Sequence, residues 1–256
     1  MLFNKIVYGP VHSRRLGVSL GINLSPVDGK QCTFNCIYCE CGLNEEREAL
    51  QPAPSREAVR RALSVKLTQL NAEGVVPDRI TFSGNGEPTM HHAFAQIIHD
   101  TLELRNSYCP SAKVAVLTNS TMLHKAEVVQ ALGDVDENLM KLDAATDELI
   151  GLIDQPVIRG FTAEKLVEQL LHFDGKLIIQ SIFLRGVYNG IAIDNTHDTA
   201  VDLWLDLLKK IHPQKVMIYT ISRETPVRTL QKIRPEALEK IGEKVTHAGF
   251  PVTISY

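Results

Sequence analysis

Short β-rich runs alternate with amphipathic helical stretches along most of the 256 residues, and this alternation narrows the fold more than any other feature. Residues 80–83, 113–118, 139–142, 177–184 and 216–221 read as strands, and an earlier strand is expected through 17–24. Several are apolar on both faces, the pattern of a buried parallel sheet. Between them lie helical stripes at spacings of three and four: Val59, Leu63, Leu67 and Leu70 after a candidate N-cap at Ser55, then Phe94, Ile97, Ile98 and Leu102. Leu166, Val167, Leu170 and Leu171 follow Thr162, and Val201, Trp204, Leu205, Leu208 and Ile211 form a fourth stripe. Leu238, Ile241 and Val245 form the last, with Pro235 early and Gly249 at its stop. Six strand-then-helix units predict an α/β domain with right-handed crossovers, either doubly wound or curled into a full or partial barrel. In such folds the working site lies at the C-terminal ends of the strands. No linker or repeat divides residues 1–256, so one domain is expected, with its longest loop at 41–54.

Composition sets limits on function. Twenty-seven Lys and Arg against thirty Asp and Glu give a formal charge of −3, which argues against a general polyanion binder. No apolar run is long enough for a membrane helix, and the first ten residues lack the order of a signal peptide, so a cytoplasmic protein is expected. Four of the five cysteines fall between Cys32 and Cys41, while Cys109 stands apart. Clustered thiols without an export signal point to metal or redox chemistry rather than to disulfides.

Cys32, Cys36 and Cys39 form C-x3-C-x2-C, a spacing that suits a loop of about residues 32–41 wrapped round a metal cluster better than one helix face. A cubane iron–sulfur cluster takes one thiolate per iron, so three cysteines leave one iron open to a ligand. Cys41 offers a fourth sulfur, and two alternatives stay open on that account: a closed-cluster electron carrier and a structural zinc module.

With Tyr38 just before its third cysteine, the triplet resembles the signature of the radical S-adenosylmethionine (SAM) superfamily. The resemblance implies a partial (β/α)6 barrel and a [4Fe–4S] cluster on Cys32, Cys36 and Cys39. It also implies SAM chelated to the open iron, and reductive cleavage to a 5′-deoxyadenosyl radical that abstracts hydrogen from a substrate. A reduced flavodoxin or ferredoxin is the electron donor it implies.

Gly84-Asn85-Gly86-Glu87-Pro88 follows the second expected strand. Read alone it is a tight turn with Thr89 as a helix cap. Beside the cysteine triplet it resembles the family's Gly-x-Gly-Glu-Pro variant, which implies that Gly84 and Gly86 approach SAM and that Glu87 accepts its amino group. Thr118-Asn119-Ser120 resembles the family's Thr-Asn-Gly turn, with serine in place of glycine. Asn119, Asp143, Gln180 and Ile218 are further implied cofactor contacts, each competing with ordinary strand-end polarity or core packing. An amide inside an apolar strand, as at Gln180, needs a buried partner.

Residues 9–17 read Gly-Pro-Val-His-Ser-Arg-Arg-Leu-Gly. They resemble a branch of radical SAM proteins grouped with the wyosine-type tRNA-modifying synthetases, so a nucleoside or tRNA is favoured over a peptide or small metabolite. Arg14 and Arg15 read equally as an anion clamp beside the ligand loop or as a solvated pair. His91 and His92 are expected to open the helix after Glu87, and Arg185 and Tyr188 to follow the fifth strand at the active-site end.

Overall fold

The computed structural model describes residues 2–256. They fall into two compact units. The chain up to Cys32, with Asn44–Thr118 and Met122–Asn138, makes the first; Thr33–Leu43, Asn119–Thr121 and Leu139–Tyr256 make the second.

The first unit contains β1 (Val7–Ser13), β2 (Gly17–Ile22), α1 (Arg56–Ala72), β3 (Arg79–Phe82), α2 (Phe94–Tyr108), β4 (Lys113–Thr118) and α3 (Ala126–Asp134). β1 and β2 form an antiparallel hairpin, and β2, β3 and β4 then run parallel. Helix α1 begins where its cap was expected: the Ser55 hydroxyl accepts the Ala58 N–H at 3.2 Å. Its stripe of Val59, Leu63, Leu67 and Leu70 is buried throughout. Arg79 fixes the start of β3 with a two-pronged bond to Glu137, at 2.6 and 2.9 Å, and donates to the Leu16 carbonyl at 2.9 Å.

In the second unit, the last three residues of β5 (Glu137–Lys141) lead to α4 (Asp147–Ile153), α5 (Ala163–Leu171), β6 (Ile178–Ile182), β7 (Leu184–Tyr188) and β8 (Ile191–Asp194). They are followed by α6 (Asp198–Ile211), β9 (Lys215–Tyr219), β10 (Gln231–Lys232), α7 (Pro235–His247) and β11 (Val252–Ser255). β5, β6, β9 and β11 pair in that order, all parallel. β10, β7 and β8 form a separate antiparallel sheet. Thr162 caps α5 by accepting the Lys165 N–H at 3.2 Å, as its position suggests.

Two expectations change. The strand expected over 177–184 stops at Ile182, and Leu184 opens β7 instead. The hairpin from β7 to β8 turns at Asn189 and Gly190, whose φ values of 50° and 79° are those of a type I′ turn. Asn-Gly between Tyr188 and Ile191 was the available signal for it. The histidine pair does not open a helix: a 3₁₀ turn occupies Pro88–Met90 and α2 begins at Phe94. The His91 ring accepts the Ala93 N–H at 3.1 Å and lies 2.7 Å from the Pro54 carbonyl, so it serves as a local bracket.

Trp204 anchors the second unit. It is 1% exposed, packs edge-on against Phe183 with ring centroids 5.2 Å apart, and donates its indole N–H to the Leu142 carbonyl at 3.0 Å. Trp204→Ala is expected to cost roughly 3–5 kcal/mol, from the lost ring contacts and the cavity left in the core. Equilibrium denaturation of the variant against the parent measures it.

Candidate active site

In the first unit the two sequence motifs meet at Gln31. This residue, directly before Cys32, donates its N–H to the Asn85 carbonyl at 2.9 Å and accepts the Glu87 N–H at 3.0 Å. The pairing is a parallel bridge between Gln31 and Gly86. It requires glycine there, because a Cβ on Gly86 would run into the Gln31 carbonyl oxygen. Gly84 has φ 150°, and a Cβ there would strike Asn23, whose side-chain oxygen accepts the Asn85 N–H at 3.0 Å. Asn85 is fully buried and donates to the Pro26 carbonyl at 2.9 Å.

Glu87 follows directly and is 4% exposed. Its Oε1 accepts the Thr89 N–H at 3.0 Å, the Thr89 hydroxyl at 2.5 Å and the Thr118 hydroxyl at 2.7 Å. Glu87, rather than Thr89, is therefore the cap of the 3₁₀ turn. Three donors on one oxygen hold a buried carboxylate in a fixed orientation.

Arg14 and Arg15 occupy the turn of the β1–β2 hairpin, at the start of β2. The chain leaves toward the cysteines from the other end of that six-residue strand, about 20 Å away at the usual rise per residue. The pair is near the cysteines in sequence and distant along the strand.

In the second unit the cysteine segment is gripped residue by residue. Asn119 donates to the Thr33 hydroxyl at 2.9 Å, and Thr33 shares a 2.6 Å hydrogen bond with Thr121. The N–H of Asn35 donates to the Asp154 carbonyl at 3.0 Å, and that of Ile37 to the Ile153 carbonyl at 3.0 Å. Cys39 donates its N–H to the Cys36 carbonyl at 3.0 Å, and Gly42 to that of Cys39 at 2.9 Å, so the backbone coils in successive tight turns. Cys36 and Cys41 are buried and Cys39 is half-buried; in the first unit, Cys32 is half-buried too. These soft sulfur donors on turning backbone are the chemistry an iron–sulfur cluster takes.

Beneath this segment lies a group that sequence reasoning missed. The Tyr38 hydroxyl hydrogen-bonds to Asp143 and to the Lys141 ammonium. Lys141 also pairs with Asp143 at 3.0 Å and lies 3.8 Å from Asp154, which accepts the Cys36 thiol at 3.3 Å. Burial, reinforced by Asp143, pushes the Asp154 carboxyl well above its usual range. Burial pulls Lys141 down, but Asp143 and the other acidic neighbours outweigh it and hold the ammonium well above its ordinary value. The Tyr38 hydroxyl is pushed up by burial first and Asp143 second. Asp154 ends a short helix absent from the predicted elements, so nothing in the pattern flagged it.

The other expected contacts have partners within the protein. Asp143 spends Oδ1 on the Ile182 N–H at 2.8 Å and Oδ2 on Tyr38 and Lys141. Gln180 finds the partner its burial demanded, donating to the Leu139 carbonyl at 3.2 Å. Ile218 is fully buried on β9 with its terminal methyl toward Gly242 of α7, which turns the side chain to the helix-covered face of the strand. Alternation puts Met217 and Tyr219 on the other face, where Tyr219 packs with Ile37 and Ile182. Arg185 pairs with Asp194 at 2.9 Å, and Tyr188 packs against the same apolar cluster. His99, Asp100 and Glu103 group on α2, but Asp100 is taken by Arg56 and Arg60 at 2.7 Å each.

No family model matches the chain. It is 30% identical over 240 residues to a UPF0026 protein of Helicobacter pylori, covering 91% of this chain and 72% of the relative. A UPF0026 protein of Synechocystis is also 30% identical, covering 87% and 77%, and one of Methanocaldococcus jannaschii is 27% identical, covering 92% and 70%. Among solved structures, a radical SAM methyltransferase from Sphaerobacter thermophilus aligns with TM-score 0.68 at 15% identity, over 93% of this chain and 66% of its own. SuiB of Streptococcus suis bound to S-adenosylmethionine aligns with TM-score 0.64 at 15% identity, over 91% and 50%. TYW1 with a lysine–pyruvate adduct bound aligns with TM-score 0.63 at 15% identity, over 90% and 73%. The chain thus spans about two thirds of the first of these structures and half of the second. The likeness shows a mixed α/β fold, the half-barrel of radical SAM enzymes, as the motifs implied.

Gly86→Ala is expected to destabilise the protein by about 1–3 kcal/mol, since a methyl can enter only by parting Gln31 from Asn85 and Glu87. Amide hydrogen exchange should show the loss of protection centred on Gln31 and Glu87.

Proposed function

Since the chain belongs to the UPF0026 family and has the fold of radical SAM enzymes, we propose that it is itself a radical SAM enzyme. Cys32, Cys36 and Cys39 would hold a [4Fe–4S] cluster, and Glu87, with Gly84 and Gly86 bringing backbone close, would receive the amino group of SAM. The observation that carries this reading is the bridge at Gln31, which bonds the residue before Cys32 to the backbone that bears Glu87. The chemistry such a cluster supplies when bound is one-electron cleavage of SAM to methionine and a 5′-deoxyadenosyl radical.

The chain's own residues do the positioning. Thr89 and Thr118 orient the Glu87 carboxylate, so its charge is fixed before a ligand arrives. Asn119, also a proposed cofactor contact, braces the segment behind Cys32 through Thr33. Asp143, Gln180 and Ile218, the other proposed cofactor contacts, are held in place by bonds and packing within the protein's interior. A reduced flavodoxin or ferredoxin would supply the electron. No helix among the described residues is long and apolar enough to cross a membrane. For the substrate, residues 9–17 and their resemblance to the wyosine-type branch make a nucleoside within tRNA the class to test first.

Anaerobically reconstituted protein, reduced with dithionite and given SAM, is expected to release 5′-deoxyadenosine and to show a cluster resonance that SAM perturbs. Cys36→Ala should abolish both, while Cys41→Ala should keep them. Loss of the cluster in Cys41→Ala, with a resonance blind to SAM in the parent, would establish the closed four-cysteine carrier instead. Nucleoside mass spectrometry of bulk tRNA incubated with the reduced enzyme and SAM tests the substrate class, and unchanged tRNA would overturn it.

A further inference from the structure

The fold holds a cluster of buried ionised and polar groups that the proposed chemistry does not itself require. Lys141 ends β5, Asp143 lies two residues on, and Asp154 follows α4; all three converge on Tyr38, between Cys36 and Cys39. Asp154 meets the segment at two points: its carbonyl accepts the Asn35 N–H at 3.0 Å, and its side chain lies 3.3 Å from the Cys36 sulfur. Lys141 sits 4.8 Å from the centre of the Tyr38 ring and reaches its hydroxyl. The side chain of Asp143 is wholly enclosed, and that of Asp154 is 2% exposed. Desolvating such a group is costly, and apolar residues of similar volume often serve stability as well or better. Charges kept here, against the cysteine segment, with both carboxylates enclosed and the Lys141 side chain only 14% exposed, call for a role that apolar packing could not fill.

We propose that Lys141, Asp143 and Asp154 are positioning residues that lock Tyr38 and Cys36 in place and set the charge felt by a cluster bound at Cys36 and Cys39. The proposal rests on reading these cysteines as cluster ligands. Lys141 is the one cation in the group, and its ammonium favours an added electron on a cluster nearby. Asp143 holds Lys141 toward the tyrosine, and Asp154 fastens the backbone that presents Cys36. Groups that orient metal ligands from behind commonly change metal affinity by ten- to a hundredfold when removed.

The test compares reconstituted parent, Lys141→Met, Lys141→Arg and Tyr38→Phe. Two quantities are read: the midpoint potential of the cluster, and the half-time of iron loss to a chelator under anaerobic conditions. Lys141→Met should lower the potential, cutting the reduced-to-oxidised ratio at fixed applied potential by about tenfold, or about 59 mV for one electron. Lys141→Arg should restore it. Tyr38→Phe keeps every cysteine and the ring, and should shorten the half-time about tenfold by freeing the segment. If Lys141→Met fails to fold, the Tyr38→Phe half-time decides. Parental half-times and potentials in the variants would overturn the proposal, as would a loss of thermal stability with the potential unmoved. A parent that binds no iron would instead overturn the reading of the cysteines, and the lock with it.

Discussion

One peptide group carries the geometry of the first unit's functional residues. Gln31 is bonded on both sides of Gly86, and through that bridge the backbone before Cys32 and the backbone before Glu87 become one short parallel ladder. Backbone pairing of this kind is indifferent to side chains except where they obstruct it, which explains why the demand falls on glycine at 84 and 86. Asn85, between them, is buried and consumed by Asn23, Phe3 and Pro26, so it serves the turn and not a ligand. Glu87 emerges from this ladder already oriented by two threonines.

The second unit holds its cysteines by a different principle. There the backbone of residues 35–37 hangs on the end of α4, and the side chains beneath it are charged. Around the charges lies an apolar cluster of Ile37, Ile153, Ile182, Leu184 and Ile193, with Tyr38, Tyr188 and Tyr219 packed against it. Low polarity strengthens every interaction inside and penalises any that is left incomplete. A segment fixed both by backbone bonds and by a desolvated ionic group has little freedom to rearrange.

Much of this was legible in the chain, and the limits have physical causes. The helical stripes and the parallel strands declared themselves because burial imposes strict periods, and β4 at 113–118 and the cap at Ser55 fell where expected. The metal-binding character of 32–41 and the partner motif at 84–88 were readable because their residue types and spacings are rarely needed for packing alone. What escaped were contacts between residues distant in sequence. Gln180 could be known to need a partner, but not that Leu139 supplies it. Asp154 lies 118 residues from the thiol it meets, and Arg14 and Arg15, close to Cys32 in sequence, lie at the far end of β2. The short elements β10, β11 and α4 were missed because few residues give a period too little length to register, while Gly9-Pro10 interrupts the seven-residue β1.

The small antiparallel sheet has a consequence of its own. Val187 of β7 stands half in solvent on one face, while Leu184 and Tyr188 on the other face, with Ile193 of β8, belong to the apolar cluster that holds Ile37 of the cysteine segment. One hairpin therefore has two audiences, whatever molecule visits its outer surface and the metal-binding residues behind it. A substitution at Val187 meets solvent, whereas one at Leu184 or Ile193 meets the apolar cluster behind the cysteine segment. Along β7 tolerance and constraint are thus interleaved on the two-residue period of a β-strand, the outer side chains facing solvent and the inner ones tied to the cysteines.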